Sequence, residues 1–451
     1  MGKQTGEKKR GSGAVRTRKR AIEPFTFLGV SFSSIDAETV KKNLFLLILL
    51  SVITKVCVYF ATVYVFHSFV DTFDQQYYLQ SFLNMLSGKI PYADFSFDYP
   101  PLAFIPIILA AVPALLFNSF YAFIVSFQFL MTICDAVIVA CIYLIGLKIY
   151  NEKTALIAAA LYATAFSGAY FVLTKFDAFP SALLMVAVLV TVYGMTFGGY
   201  IAVITGFLAK IYPVISLPFL FFYNAKTTSL KQEIWSILKI CIPVAVIIGV
   251  PVVVLRPGII STYVTGSLVR TDVYVNTPTF TIYTWLHDIF HLGISSGILS
   301  DLMYALLGVI LIVLVLYAWI DRKPGEKTLV KLLALSIFST VFCMKYHSPQ
   351  YILWFLPFVS LLVADSLAGI LVFYLMQVIA FLEFPLLFGT LYVNGNYMND
   401  VGTGGWYLTA VFFTIEMVLS IVLMYLAIKP SRDHVDKIVN YFKGFRKNSS
   451  T

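Results

Sequence analysis

Uninterrupted apolar segments of about twenty residues recur along the whole chain, and each is long enough to cross about 30 Å of hydrocarbon as a helix. They cover 43–66, 120–147, 154–173, 178–196, 200–223, 236–255, 301–319, 329–345, 350–366, 367–390 and 406–428. In lipid, every backbone polar group must be satisfied within the segment or a closed barrel. A barrel would show short alternating segments instead. The pattern predicts an all-α polytopic membrane protein with about 11–12 transmembrane helices. Charged residues make up 12% of the chain, about half the roughly 25% of a soluble domain, which excludes a soluble enzyme.

The net charge of +9 invites comparison with nucleic-acid binders, but the placement of the basic residues argues for a bilayer and no nucleic acid. Ten of the 32 Lys and Arg lie in residues 1–42 and six follow Ile428, so both ends read as basic cytoplasmic tails, 1–42 and 429–451, flanking a membrane domain over 43–428. The short basic stretches at 148–153, 226–239 and 322–331 belong on the same side. No small-residue cleavage site follows a short apolar core, so the first span is expected to stay as an anchor. The five cysteines, Cys57, Cys134, Cys141, Cys241 and Cys343, are scattered in apolar runs and read as small hydrophobes; neither a metal site nor a disulfide framework is expected.

That parity requires two adjustments. The Pro-rich stretch 100–117 must be re-entrant or interfacial, since a full crossing would invert every later loop. Pro213 breaks the segment 200–223, so two half-length helices should meet near the outer side with Lys210 at their apex. A first outer loop over 67–101 and a long one over 256–300 follow. Lys89, Lys175, Lys210, Arg256, Arg270 and Lys345 then lie outside, against the positive-inside bias, accompanied by Asp71, Asp74, Asp94, Asp98, Asp177 and Asp272.

Asp71 and Asp74 stand three apart directly after the first span, opening a stretch whose apolar and aromatic spacing suits an interfacial helix. A carboxylate held there can act as a general base. Buried Asp135, Asp365, Glu383 and Glu416 read as packing groups. Lys55, in the middle of the first span, has no assigned role, and one of these carboxylates is a candidate partner.

Asp74, Tyr78, Gly88, Pro91-Tyr92-Ala93-Asp94-Phe95 and Asp98-Tyr99-Pro100-Pro101-Leu102, followed by Lys175-Phe-Asp177-Ala-Phe-Pro180, Lys210-Ile-Tyr212-Pro213 and Lys345-Tyr-His347-Ser-Pro-Gln350-Tyr-Ile-Leu-Trp354, together resemble the signature of GT-C membrane glycosyltransferases. The resemblance spans about 43–360 and is nearest to polyprenol-phosphate-mannose-dependent mannosyltransferases. Two departures are Lys175, where the family carries Arg, and Asp-x-x-Asp, where the eukaryotic relatives carry Asp-x-Asp; no metal ligands are assigned, and a divalent metal is left open.

The resemblance implies transfer of a hexose, mannose in the nearest relatives, from a polyprenyl- or dolichyl-phosphate carrier to a lipid-linked or glycan acceptor on the outer face, with inversion. Asp74 would be the general base with Asp71 as substitute. Lys210, Lys345, His347, Arg256 and Arg270 would hold the donor phosphate, whose developing charge needs cations. Tyr78, Asp94, Asp98, Tyr99, Lys175, Asp177, Tyr212 and Gln350 would line the substrates. For Asp177 an internal ion pair with Lys175 stands beside the site role. The alternative for the whole chain is a multi-pass transporter or lipid flippase, since broken helices and intramembrane charges also mark transporters.

Overall fold

The computed structural model describes residues 24–66, 72–259, 277–321, 325–345, 347–387 and 404–429. Asp71, Arg270 and Asp272 lie outside the described residues, as do residues 1–23 and 430–451 of the two tails. The expected all-α architecture is what the chain adopts, with one small exception at its start. Residues 24–36 form a hairpin of β1 (Pro24–Phe27) and β2 (Val30–Asp36), within the stretch read as tail. Leu28 and Gly29 make the turn at positive φ, and Phe27 and Phe32 pack on Tyr193.

Asp36 accepts a hydrogen bond from the Thr39 amide at 2.7 Å and so caps α1 (Ala37–Phe60), which runs on through a π-turn to Val65. An amphipathic α2 (Phe73–Leu86) follows, as the spacing predicts. Then come α3 (Phe104–Phe117), α4 (Phe120–Ile149), α5 (Glu152–Ala163) and α6 (Phe166–Thr174). The next are α7 (Ala178–Val192), α8 (Thr196–Ala209), α9 (Leu217–Asn224), α10 (Leu230–Val244) and α11 (Val250–Leu255). The chain finishes with α12 (Pro278–Tyr283), α13 (Ser296–Ile320), α14 (Glu326–Cys343), α15 (Ile352–Val363), α16 (Leu367–Phe381) and α17 (Gly404–Ile428).

Among the described residues six helices are long and apolar enough to cross a bilayer alone, and α5 and α6 reach that length only as a pair bent by 55°. The remaining segments of the expected 11–12 are shorter helices such as α7, α8 and α15, packed in the interior.

Polar contacts sort the bundle into two ends. At one end Asn43 bonds Tyr143, Lys148 faces Glu326, and Lys327 faces Asp365. The acidic outer-loop residues and their lysines gather at the other. Helix α3 begins near Phe97, whose ring stacks on Phe104 at 4.0 Å, and turns at left-handed Asn118 straight into α4. At 14 residues it is shorter than the roughly 20 that a full span needs. The core between the ends is close-packed by α4, α7, α8 and α15, with Ile138, Ile142, Val188, Val203 and Val359 fully buried.

Candidate active site

Helix length sets the depth of the site. At 1.5 Å per residue α7 and α8 are about 22 Å long, roughly 8 Å short of a hydrocarbon core of about 30 Å. Each has one terminus at the basic end, where Tyr193 after α7 bonds the Leu144 carbonyl, so the start of α7 and the end of α8 stop short of the opposite side and leave a recess. Sequence explains where they stop: Pro180 sits in the first turn of α7, and Pro213 starts the 3-10 turn after α8. The extended residues Lys175 and Lys210 close α6 and α8 as C-caps, while Asp74 and Asp177 stand at the starts of α2 and α7. Each charge therefore lies at the helix end whose partial charge favours it.

Two ion pairs form in this recess. Lys175 Nζ donates to Asp74 Oδ2 at 2.8 Å, and Lys210 Nζ donates to Asp177 Oδ1 at 2.6 Å. Asp177 thus pairs with Lys210, in place of the neighbouring Lys175 considered from sequence. The Tyr78 hydroxyl also donates to Asp74 Oδ2, at 3.4 Å, which leaves Oδ1 without a hydrogen-bond partner among the described residues. Trp354 Nε1 donates to Asp177 Oδ1 at 2.6 Å, whereas Asp177 Oδ2 is buried with no partner among the described residues.

Aromatic rings bind the two pairs into one wall. The Lys210 ammonium lies 5.0–5.6 Å from the rings of Tyr99, Phe176, Tyr351 and Trp354, a favourable cation–π setting. Trp354 is sandwiched between Tyr212 at 4.1 Å and Tyr351 at 4.0 Å, and Tyr212 bonds Ser181. Tyr78 and Tyr99 meet Phe176 from the Asp74 side. Burial, then the nearby phenol and the carboxylates of Asp74 and Asp177, pushes the Tyr78 hydroxyl well up; burial and the same two carboxylates do so for Tyr99. Both stay neutral donors.

Asp74, Tyr78, Tyr99, Lys175, Asp177, Lys210 and Tyr212 thus come together from four separate stretches of chain. The other candidates lie around them. Asp94 accepts from the Ile90 amide at 2.7 Å and closes a loop turn. Asp98 is exposed, with its amide donating to the Tyr77 hydroxyl. Gly88, at φ +85°, ends α2 in the left-handed conformation that favours glycine. Arg256 reaches Ser96 at 3.4 Å. Lys345 is buried but turned to Asp301 at 3.6 Å and the ring of Tyr304. Gln350 is buried and takes the Ser348 hydroxyl.

His347 contacts Tyr351 and lines a separate cavity with Thr281, Phe355 and Glu416. Loss of solvation lowers its pKa to about 4, which favours the neutral imidazole.

Trp354 and Tyr351 were the underrated residues. Their signal was the three-residue spacing, which puts two aromatics on one helical face. Lys55 also finds its partner: its ammonium bonds Asp135 Oδ2 at 2.5 Å and Ser51 Oγ at 2.7 Å, and Tyr162 bonds the other oxygen of Asp135. Among the described residues, no cluster of three or more His, Cys, Asp or Glu could hold a metal ion.

No family model and no curated protein matches the sequence. Solved structures match in shape. One is the crystal structure of the Archaeoglobus fulgidus oligosaccharyltransferase tethered with an acceptor peptide, at 13% identity and TM-score 0.41, covering 89% of this chain and 57% of that one. A second is the same enzyme in the apo form, at 12% identity and TM-score 0.42, covering 87% and 57%. A third is the archaeal oligosaccharyltransferase AglB from Archaeoglobus fulgidus in complex with an inhibitory peptide and a dolichol-phosphate, at 12% identity and TM-score 0.39, covering 87% and 56%. The chain spans little more than half the length of these proteins.

Proposed function

We propose that the chain is a GT-C-type membrane glycosyltransferase that transfers a hexose, mannose in the first instance, from a polyprenyl-phosphate-linked donor to a lipid-linked or glycan acceptor. The observation that carries this is the single recess in which Asp74, Lys175, Asp177 and Lys210 meet under an aromatic wall. The site end faces outward and both termini are cytoplasmic, following the basic loops.

The geometry suits an inverting displacement. Asp74 Oδ2 is anchored by Lys175 and Tyr78, so Oδ1 is the atom that takes the acceptor proton as the acceptor oxygen attacks the anomeric carbon. The carbon–phosphate oxygen bond breaks on the opposite face, and the leaving lipid phosphate needs positive charge. Lys210 is already neutralised by Asp177, so its role is to orient the aromatic wall and contribute residual field. Lys345, buried beside the exposed Asp301, and Arg256 are the cations that receive the phosphate, with Arg270 as a further candidate from the long outer loop. Tyr99, Tyr212 and Trp354 offer ring faces to the sugar. Asp71 remains the substitute base.

A transporter would need a polar path between the two ends, whereas the core between α4, α7, α8 and α15 is filled by buried aliphatic side chains. The test is reconstitution in proteoliposomes with a radiolabelled polyprenyl-phosphate mannose. Glycosylated product without movement of donor between leaflets supports the enzyme. Donor movement without product would replace it with the flippase.

A further inference from the structure

Between α1 and α4, on the face turned to the bilayer, lies a groove of about 260 Å3 lined in part by Lys55, Tyr59, Tyr121, Gln128, Thr132 and Leu173. Hydrocarbon-facing surfaces are ordinarily apolar, and this one is not. Among the described residues the Gln128 side-chain amide bonds no protein group; the nearby Thr132 hydroxyl donates to the Gln128 backbone carbonyl at 2.7 Å. An open side-chain amide is costly against lipid tails, so the groove calls for a polar group from an occupant. Its floor carries no net charge, because Lys55 is cancelled by Asp135 at 2.5 Å. That selects against an anionic phosphate at this depth and for a neutral hydroxyl or ester.

The groove also lies beside the site. The Leu173 carbonyl accepts from Gln75 of α2 at 3.1 Å, next to Asp74 in the chain and two residues before Lys175. On α4, Gln128 follows Phe127, whose ring packs on Tyr78 at 5.6 Å. The upper groove and the catalytic carboxylate therefore lie at one level on opposite sides of a thin wall.

We propose that this groove binds a neutral, hydroxyl-bearing membrane lipid by its linkage region, and that this lipid is the acceptor, entering laterally between α1 and α4. The assignment rests on the transferase function proposed above and narrows its acceptor to a lipid.

Two measurements test it on the full-length chain in nanodiscs. The first uses diacylglycerol with a diazirine in one acyl chain as a photoprobe, compared between wild type, Val56→Trp, which fills the groove from its lipid-exposed side, and Gln128→Leu. Labelling of peptides 52–60 and 121–132 should exceed that of the lipid-facing α13 and fall about tenfold in Val56→Trp, the equivalent of about one lost strong contact. Labelling no stronger than on α13, or unchanged in both variants, overturns the site.

The second uses nanodiscs of the host's own lipid extract with radiolabelled polyprenyl-phosphate mannose. Organic-phase product that is lost in Val56→Trp, while slow hydrolysis of the donor persists, supports lateral entry of the acceptor. Label transferred to protein or to water-soluble glycan overturns it. If wild type neither transfers nor hydrolyses, the transferase function fails and the acceptor role falls with it, while the photoprobe still decides the lipid site.

Discussion

Replacing Lys210 by Met should destabilise the protein far more than replacing Lys210 and Asp177 together. The Asp177 side chain is 1% exposed and that of Lys210 10% exposed, and they meet at 2.6 Å. Removing only the lysine leaves a buried carboxylate with the Trp354 indole on one oxygen and no partner among the described residues on the other. Breaking a buried pair in this way costs about 3–5 kcal/mol. At roughly 2 °C per kcal/mol for a large domain, the apparent melting midpoint in detergent should fall by roughly 6–10 °C. In Lys210→Met with Asp177→Asn, both charges are gone and the amide still accepts from Trp354. The double variant should recover most of that loss, with a coupling of about 2 kcal/mol or more. Intrinsic fluorescence melting of the four proteins closes the cycle. A near-wild-type midpoint for Lys210→Met, or a double variant that loses the sum of the singles, would refute the pairing.

Two further predictions concern the scaffold. His347 is half-buried, and loss of solvation lowers its pKa to about 4, against about 6.5 unfolded. Between those values the unfolded chain binds the extra proton, so its contribution to stability is full above about 6.5 and is lost as pH falls toward about 4; His347→Gln should flatten the drop in melting midpoint over that window. Gly146→Ala would place a Cβ 2.9 Å from the Ala155 Cα where α4 meets α5, so it should cost about 1–3 kcal/mol. Gly249→Ala, which meets nothing within 4 Å, should leave the midpoint unchanged or raise it.

The all-helical apolar segments and the break at Pro213 were legible, because hydropathy and proline act locally. The partners of the charges were not. Asp74 meets Lys175 across 101 residues and Lys210 meets Asp177 across 33, and pairing at that separation depends on where short helices stop. Adjacent Lys175 and Asp177 look like a pair in sequence, yet the extended corner between α6 and α7 sends them to different partners. Lys55 found Asp135 across 80 residues for the same reason. Asp94 and Gly88 belong to the motif, and what the motif does not reveal is that the first closes a loop turn and the second ends α2. Trp354 was hidden because aromatic belts are common at membrane interfaces, and only its 2.6 Å bond to Asp177 separates it from them.

The central claim is that Asp74 is the base of a lipid-donor glycosyltransferase. It is tested most directly by single-turnover transfer from radiolabelled polyprenyl-phosphate mannose, with donor binding measured in parallel, in wild type and Asp74→Asn. Binding should survive in Asp74→Asn while the rate of transfer falls by about 100-fold to 10,000-fold, the usual worth of a positioned general base. Near-wild-type transfer by Asp74→Asn would contradict it.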